Sequence, residues 1–209
     1  MQQSSYEYTV SVNDAGFAVD VTGSNWVLTT NTVPDGLGHR VVIINNSATD
    51  FSSLTASLYG TDADGNPQTE TMALPGPMFV SFSSKFYSTL TSVVPESTIG
   101  TDTMNIGWSG AAVTQTIPVD WRSNAFTIIN VILGEGLSSL YSFEQTNANV
   151  YDAYPSTLPW FPIPGLSDRN QNSNGISTPG ANALRLNLLD GSDEAVITFT
   201  LHPPGPPTF

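Results

Sequence analysis

The sequence predicts an all-β protein with two antiparallel β-sandwich domains, Ig-like or jelly-roll-like. Short segments that alternate apolar and polar residues recur about every ten residues, the spacing typical of such sandwiches. Turn-forming residues are abundant, with 17 Gly and 15 Pro in 209 residues. The first half of the chain contains no pattern with the period of an amphipathic helix. These observations together favour strands joined by turns throughout.

The first half divides into short predicted strands separated by residues that favour turns. Two of these separators are Asn13–Gly16 and Pro34–Gly38. The run Asp62–Pro67 is the strongest hairpin signal in the chain, because Asp-Gly and Asn-Pro favour tight turns between alternating segments. The predicted strands are Tyr6–Val12, Phe17–Val21, Val27–Thr29, Arg40–Asn45, Ser53–Gly60, Gln68–Leu74, Met78–Phe82, Tyr87–Val94 and Met104–Trp108.

The alternation lapses around Ser109–Ala112, which places a domain boundary near residue 113 and predicts domains at 1–112 and 113–209. A turn at Gly134–Gly136 and a hairpin at Asp190–Asp193 are predicted to join neighbouring strands. The tail His202–Pro207 is predicted to be an extended proline-rich arm, because proline donates no ladder hydrogen bond. The predicted strands of this half are Gln115–Trp121, Phe126–Leu133, Leu140–Thr146, Ala183–Leu189 and Ala195–Leu201.

The charge balance disfavours several classes of partner. Eighteen acidic and five basic residues give a net charge of -13, which repels phosphate backbones and argues against nucleic-acid binding.

No apolar run approaches the length of a membrane span, so we expect no membrane partner. Met1–Ser5 lacks the pattern of a secretory signal, so we expect synthesis in the cytoplasm without signal-peptide export. The absence of Cys excludes disulfides and thiolate-bound metals.

Side chains suited to catalysis are scarce. The chain has two His, one Lys and no Cys, whereas catalysis near neutral pH usually depends on such groups or on paired carboxylates. We interpret His39 and His202 as surface or edge residues, since no Gly-x-Ser-x-Gly motif accompanies either of them. The sequence therefore predicts no enzyme, no catalytic residue and no cofactor. A glycoside hydrolase with two carboxylates across a cleft remains an alternative.

Two acidic groups lie at predicted turns and raise the question of a calcium site. Carboxylate oxygens suit calcium, but the spacing in both groups differs from that of an EF-hand loop. Turn chemistry alone explains Asp and Asn at these positions. We therefore predict no metal site at either group. The groups are Asp62, Asp64 and Glu70, and Asp190, Asp193 and Glu194.

Four aromatic residues lie in the long Pro- and Asn-rich stretch 147–179: Tyr151, Tyr154, Trp160 and Phe161. Aromatic rings in an irregular loop can stack on sugars, or they can anchor a protein interface. Leu158, Pro159 and 162–164 surround Trp160 and Phe161 with apolar residues. This environment favours packing or an interface over sugar binding.

Three arginines are candidate interface cations: Arg122, Arg169 and Arg185. Positive charge is rare in this acidic chain, so each arginine is expected to pair with a carboxylate within the subunit or across an interface. Bidentate geometry is the arrangement that would hold such a pair most firmly. Loss of one of these cations at an interface should matter more than loss of one of the many acids.

A family resemblance is carried by segments in both halves of the chain: Tyr59–Asn66, Gln68–Thr71, Leu74–Pro77, Phe86–Val93, Ile106–Gly110, Ile117–Trp121, Asn124–Phe126, Tyr141–Thr146, Trp160–Pro162 and Ala183–Leu186. These segments resemble virion structural proteins of tailed bacteriophages. The resemblance implies a non-enzymatic component of the virion, in multiple copies on the head, neck or tail exterior. It implies other virion proteins as partners (capsid, portal or neck, or tail subunits) and a homo-oligomer, and it transfers no active-site residue. The alternative is a carbohydrate-binding adhesin or receptor-recognition module of the tail.

Overall fold

The computed structural model confirms the all-β fold class, with antiparallel sheets in a sandwich-like arrangement. It describes residues 3–119, 126–134, 138–151 and 157–202. The strands are β1 (Ser4–Thr9), β2 (Asn13–Val21), β3 (Gly38–Asn45), β4 (Thr55–Thr61), β5 (Pro67–Ala73), β6 (Val80–Tyr87), β7 (Thr89–Pro95), β8 (Met104–Val113), β9 (Ile117–Pro118), β10 (Ile128–Leu133), β11 (Ser139–Thr146), β12 (Phe161–Pro162), β13 (Ser173–Ile176), β14 (Ala183–Gly191) and β15 (Val196–His202).

The chain forms two compact units, one of residues 12–112 and one of residues 1–11 with 113–209. The predicted N-terminal domain began at residue 1, whereas β1 belongs to the unit of the C-terminal half. The reason is its antiparallel pairing with β15, from Ser4 opposite Leu201 to Thr9 opposite Val196. The division into two separate domains stays a prediction.

The unit 12–112 contains two groups of hydrogen-bonded strands. In one, β3 lies between β8 and β6, and β2 pairs with β8; in the other, β4 lies between β5 and β7. Alternating side chains of both groups are buried in one apolar core, as in other β-sandwiches. The core includes Phe17, Ile43, Leu58, Tyr87 and Trp108.

The second unit likewise contains two groups of strands. One is a four-stranded sheet in the order β1-β15-β10-β13, and in the other β11 lies between β12 and β14 while β9 pairs with β14. Phe199 of β15 is fully buried. Its ring stacks on Tyr6 of β1 at 4.9 Å and meets Phe143 of β11 edge-on at 4.9 Å. These three rings join β1 to the core of this unit.

The predicted connections are partly confirmed. The hairpin around Asp62–Pro67 exists, since β4 and β5 pair from Thr55 opposite Ala73 to Thr61 opposite Pro67. The predicted hairpin at Asp190–Asp193 is wrong, because β14 pairs with β11 and β15 pairs with β10. The predicted pairing of Phe126–Leu133 with Leu140–Thr146 across Gly134–Gly136 is also wrong, because β10 and β11 lie in different sheets. Turn residues reverse the chain equally well within one sheet and between two sheets.

Two further differences concern which segments form strands. Val27–Thr29 forms no strand, although its neighbour Trp26 is buried in the core. Conversely, β12 and β13 lie in the Pro- and Asn-rich stretch where no strand was predicted. The described residues include no helix with the length and apolar character needed to cross a lipid bilayer.

Candidate interaction site

Two of the predicted site residues, Trp160 and Arg185, come together on one face of the β12-β11-β14 strands. Trp160 directly precedes β12, whose two residues pair with Gln145 and Glu144 of β11. Along β14, the leucines at 184, 186 and 188 are buried, so alternation places Arg185 and Asn187 on the opposite face. Arg185 lies opposite Glu144 in the ladder. We call Trp160, Arg185, Glu144 and Asn187 the Trp160 platform.

An ion pair and a cation–π contact hold the Trp160 platform together. Nε and Nη2 of Arg185 each lie 2.7 Å from Oε2 of Glu144, and Nδ2 of Asn187 donates to Oε1 at 2.9 Å. The Arg185 guanidinium lies over the Trp160 ring, 4.3 Å from its centroid. Arg185 thus pairs with a carboxylate of its own chain through one oxygen, not through the two-oxygen fork expected from the sequence.

The polar groups of the Trp160 platform are engaged with one another. Both oxygens of Glu144 accept hydrogen bonds from fixed neighbours, and the Arg185 charge is balanced. The side chains of Arg185 and Glu144 are only 18% and 13% exposed, so the pair is less screened than a surface ion pair. The contacts fix the plane of the indole ring. A fixed aromatic ring beside polar groups is a typical ligand-contacting surface.

The other predicted site residues have different surroundings. Nε of Arg169 donates to the Gly165 carbonyl at 2.9 Å, and the Arg169 backbone exchanges two 2.8 Å hydrogen bonds with Tyr141. Arg169 therefore holds its own loop against β11. Tyr151 and Phe161 are largely exposed. Arg122, Tyr154 and the proline-rich arm after His202 lie outside the described residues.

Two members of the first acidic group, Asp62 and Glu70, have carboxylate oxygens that accept hydrogen bonds from their own chain. Oδ1 of Asp62 accepts hydrogen bonds from the backbone N–H groups of Asp64 and Asn66, both at 2.9 Å. Oε1 and Oε2 of Glu70 accept from the N–H groups of Ser84 and Lys85 at 2.6 and 3.0 Å. These contacts support the turn interpretation. Within the described ranges, no three acidic or imidazole side chains gather in a metal-binding arrangement.

The interpretation of His39 as a surface residue is wrong. The side chain is fully buried on β3, with Nδ1 2.7 Å from the Ser109 carbonyl oxygen and Nε2 2.9 Å from Oδ2 of Asp35. A carbonyl oxygen only accepts, so Nδ1 is the donor there. Both ring nitrogens of His39 thus have hydrogen-bond partners in the interior, although the neighbouring loop residues in the sequence suggested an exposed position. His202, in contrast, is partly exposed at the end of β15.

Sequence reasoning missed two exposed apolar surfaces. On β6 the alternation is inverted: Phe82 is 50% exposed, whereas Ser83 is 1% exposed. The pattern Val80-Ser81-Phe82-Ser83 was visible, but alternation separates two faces without saying which of them is buried. The β6 surface comprises Met78, Phe79, Val80 and Phe82, and the second surface, which we call the β10–β13 face, comprises Phe126, Ile128, Ile132 and Ile176.

Comparison with protein-family models, with curated proteins and with solved structures found no match.

Proposed function

We propose that this protein is a non-enzymatic structural subunit of a tailed-phage particle, present in multiple copies on the head, neck or tail exterior. Two arguments support the proposal. Several segments resemble virion structural proteins, and the β10–β13 face exposes apolar side chains on a regular sheet. The net charge of -13 suits an exterior position over contact with packaged DNA.

The β10–β13 face is the single observation that carries the proposal. Ile128 of β10 lies directly opposite Ile176 of β13, so their side chains share one face. Phe126 and Ile132 fall on the same face by alternation. All four side chains are at least 40% exposed. Soluble monomers rarely expose contiguous apolar patches, and such patches commonly mark contacts with other proteins.

The surroundings of the polar side chains also favour a structural role. His39 is buried between Asp35 and a carbonyl group, and Glu70 accepts backbone hydrogen bonds. Glu144 is paired with Arg185. Groups held in this way serve the fold, whereas a general acid or base must be positioned against a substrate. The predicted partners are therefore other virion proteins that present apolar surface.

A mass-spectrometric inventory of purified particles tests the proposal. We expect the chain in a fixed multiple copy number in the virion. The variant Ile132→Lys should lower incorporation at least tenfold, because it places a charge within the β10–β13 face. Val94→Lys, a change at an equally exposed valine on β7, is the matched control and should incorporate normally. Finding the protein only free in the lysate would refute the structural role.

The Trp160 platform favours a second candidate function, carbohydrate binding by a tail adhesin. Its indole is fixed by Arg185, and the largely exposed Phe161 and Tyr151 lie close to it in the sequence. Glycan-array binding should be lost in Trp160→Ala and weakened in Phe161→Ala, which leaves the ion pair intact. Binding to host cells that is unchanged in both variants would eliminate this candidate.

A further inference from the structure

We infer that two copies of this chain associate through the free edge of β6, which pairs with itself antiparallel about a two-fold axis at Ser81. This inference names the contact surface for the multi-copy assembly proposed above and rests on that role. It depends on the backbone geometry of β6, on its exposed side chains and on the charges at its two ends.

The backbone of β6 leaves four hydrogen-bonding groups unused. The Asn45 N–H donates to the Phe79 carbonyl at 3.0 Å, which makes Asn45 and Phe79 a hydrogen-bonded pair of the antiparallel ladder. In such a ladder the pair types alternate, so Val80, opposite Ile44, and Phe82, opposite Val42, direct their N–H and C=O groups away from β3. Among the described residues, no donor or acceptor bonds to these four groups.

Further along β6, side chains of β5 take up the backbone groups of the edge. Glu70 accepts from Ser84 and Lys85, and the Gln68 amide donates to the Phe86 carbonyl. The free part of the edge is therefore short and centred on Ser81. A two-fold axis there places Val80 opposite Phe82 of the second copy, and each such pair exchanges two hydrogen bonds. Four backbone hydrogen bonds form in total.

The side chains along this edge are apolar and held in place. Met78, Phe79, Val80 and Phe82 are all exposed. The buried Asn45 side chain donates to the carbonyls of Pro75 and Gly76, at 3.3 and 3.0 Å, and so fixes the loop before β6. Met78 has a φ of 57°, a conformation unfavourable for a residue with a long side chain. The fold thus presents apolar side chains beside unpaired backbone groups.

Charge distribution favours a second copy of this chain in the antiparallel orientation. No ionisable residue occurs in 75–84, so the strongly acidic chain meets no repulsion at the centre. Lys85 and the Glu70 carboxylate lie together at one end of the segment, which balances the charge there. Asp50 lies beside Gly76 at the other end, with Oδ1 3.6 Å from the position of a Cβ there, so the like charges that parallel pairing would bring together are the two Asp50 carboxylates. Antiparallel pairing brings the Lys85 end of one copy to the Asp50 end of the other.

The size of the surface indicates a reversible dimer. Stable complexes bury about 800 Å² per partner, and two half-exposed phenylalanines with a methionine and a valine supply roughly half of that area. We therefore expect association that rises with protein concentration and is reinforced where copies are crowded in an assembly.

Cysteine cross-linking tests the register, because the chain contains no Cys. The two-fold axis places Ser81 opposite Ser81 of the second copy, with Cα atoms about 4.5 Å apart, within the range of a disulfide. Ser81→Cys should form a covalent dimer on mild oxidation of the purified protein. Ser84→Cys is the matched control and should stay monomeric, since this register places it opposite Met78. Absence of a Ser81→Cys dimer, or equal cross-linking of both variants, would overturn the inference.

Sedimentation velocity over a hundredfold range of concentration tests the surface. Phe82→Lys should weaken dimerisation at least tenfold, whereas Val27→Lys, at a valine exposed outside the strands, should leave it unchanged. Dimers that persist in Phe82→Lys, or wild-type protein that stays monomeric and instead binds a different virion protein at β6, would contradict self-pairing. Both experiments use purified protein without particles. A negative result in them can therefore accompany a positive virion inventory, and a positive result can accompany a negative inventory.

Discussion

The hydroxyl groups of two fully buried tyrosines have different surroundings. The Tyr141 hydroxyl donates to the Gln171 carbonyl at 3.1 Å, whereas no described residue bonds to the Tyr87 hydroxyl. Burial raises the pKa of both side chains, and the nearby Glu70 carboxylate raises the pKa of Tyr87 further. An unpaired buried hydroxyl costs free energy that a paired one does not. The same residue type thus contributes differently to stability in the two units.

We predict that Tyr87→Phe changes the free energy of unfolding at neutral pH by less than about 0.5 kcal/mol or increases it, because it removes an unpaired polar group. Tyr141→Phe, the matched control, should lower it by about 1 kcal/mol. Urea unfolding followed by circular dichroism measures both changes. A larger loss in Tyr87→Phe than in Tyr141→Phe would contradict the assignment of the hydroxyls.

The raised pKa of Tyr87 also predicts how Tyr87→Phe changes stability at alkaline pH. The folded-state pKa of Tyr87 is raised above its unfolded value, so its contribution to stability is complete below the unfolded pKa, about 10, and is lost as the pH rises above it. Tyr87→Phe should therefore lose less stability than the wild type between about pH 10 and pH 12. Urea unfolding at several alkaline pH values measures this, and identical pH profiles would contradict it.

The Glu144–Arg185 pair is the second residue-scale feature with a measurable consequence. Its partners are mostly buried, and removal of one partner leaves the other charge poorly solvated. We predict that Glu144→Gln lowers the free energy of unfolding by about 1–2 kcal/mol. A double-mutant cycle with Arg185→Leu should recover part of this loss. Glu7→Gln, at an exposed acid of β1, should change stability by less than about 0.5 kcal/mol.

Among the elements, the loop between β5 and β6 depends on one side chain. The buried Asn45 donates to Thr49, Pro75 and Gly76 carbonyls, and its Oδ1 accepts from Ser47. It thereby joins the end of β3 to the loop that carries Met78 and Phe79.

We predict that Asn45→Ala lowers the free energy of unfolding by about 2–3 kcal/mol, because several buried backbone carbonyls lose their donor. Asn46→Ala, at the exposed neighbour, is the control and should have little effect. Thermal unfolding measures both variants. A similar small effect in both would show that Asn45 does not hold the loop. If the β6 edge mediates pairing, Asn45→Ala should also weaken the dimer.

Much of the strand pattern could be predicted from the sequence, because period-two alternation and turn residues are local signals. Alternation identified β3, β4, β5, β14 and β15 and the β4–β5 hairpin. Alternation could not assign the buried face of β6, because a bulge places the polar side chain of Ser83 in the interior. There the Ser83 hydroxyl accepts a hydrogen bond from the Val41 N–H at 2.8 Å. Nor could alternation show that consecutive strands such as β14 and β15 lie in different sheets. Strand pairing depends on contacts between distant residues.

The candidate site was predictable only in its aromatic and cationic members. Trp160 and Arg185 were identified because aromatic and basic residues in a polar, acidic chain are conspicuous. Glu144 and Asn187 were not identified, since nothing local distinguishes them until β11 and β14 pair. The buried His39 shows the same limit, because its partner Ser109 lies 70 residues away.

At the scale of the whole molecule, the first strand completes the unit built by the C-terminal half. Tyr6 stacks on the buried Phe199, and six residues of β1 pair with β15. We predict that Tyr6→Ala lowers the free energy of unfolding by about 1–3 kcal/mol, less than the usual cost of truncating a fully buried aromatic ring, because Tyr6 is only partly buried. Val19→Ala, at an exposed valine of β2, is the control. Hydrogen exchange should show lost protection in β15 and β10, and loss confined to residues 12–112 would contradict the prediction.

The β1–β15 pairing also constrains the order of events during synthesis. Glu7 and Thr198, which share a hydrogen bond, are 191 residues apart. At translation rates of about 5–20 residues per second, β1 is synthesised roughly ten to forty seconds before its partner strand. Residues 12–112 are synthesised within that interval, whereas β1 cannot pair with β15 until β15 has been made. A nascent chain stalled before β15 would therefore carry β1 with its edge free to bind a chaperone.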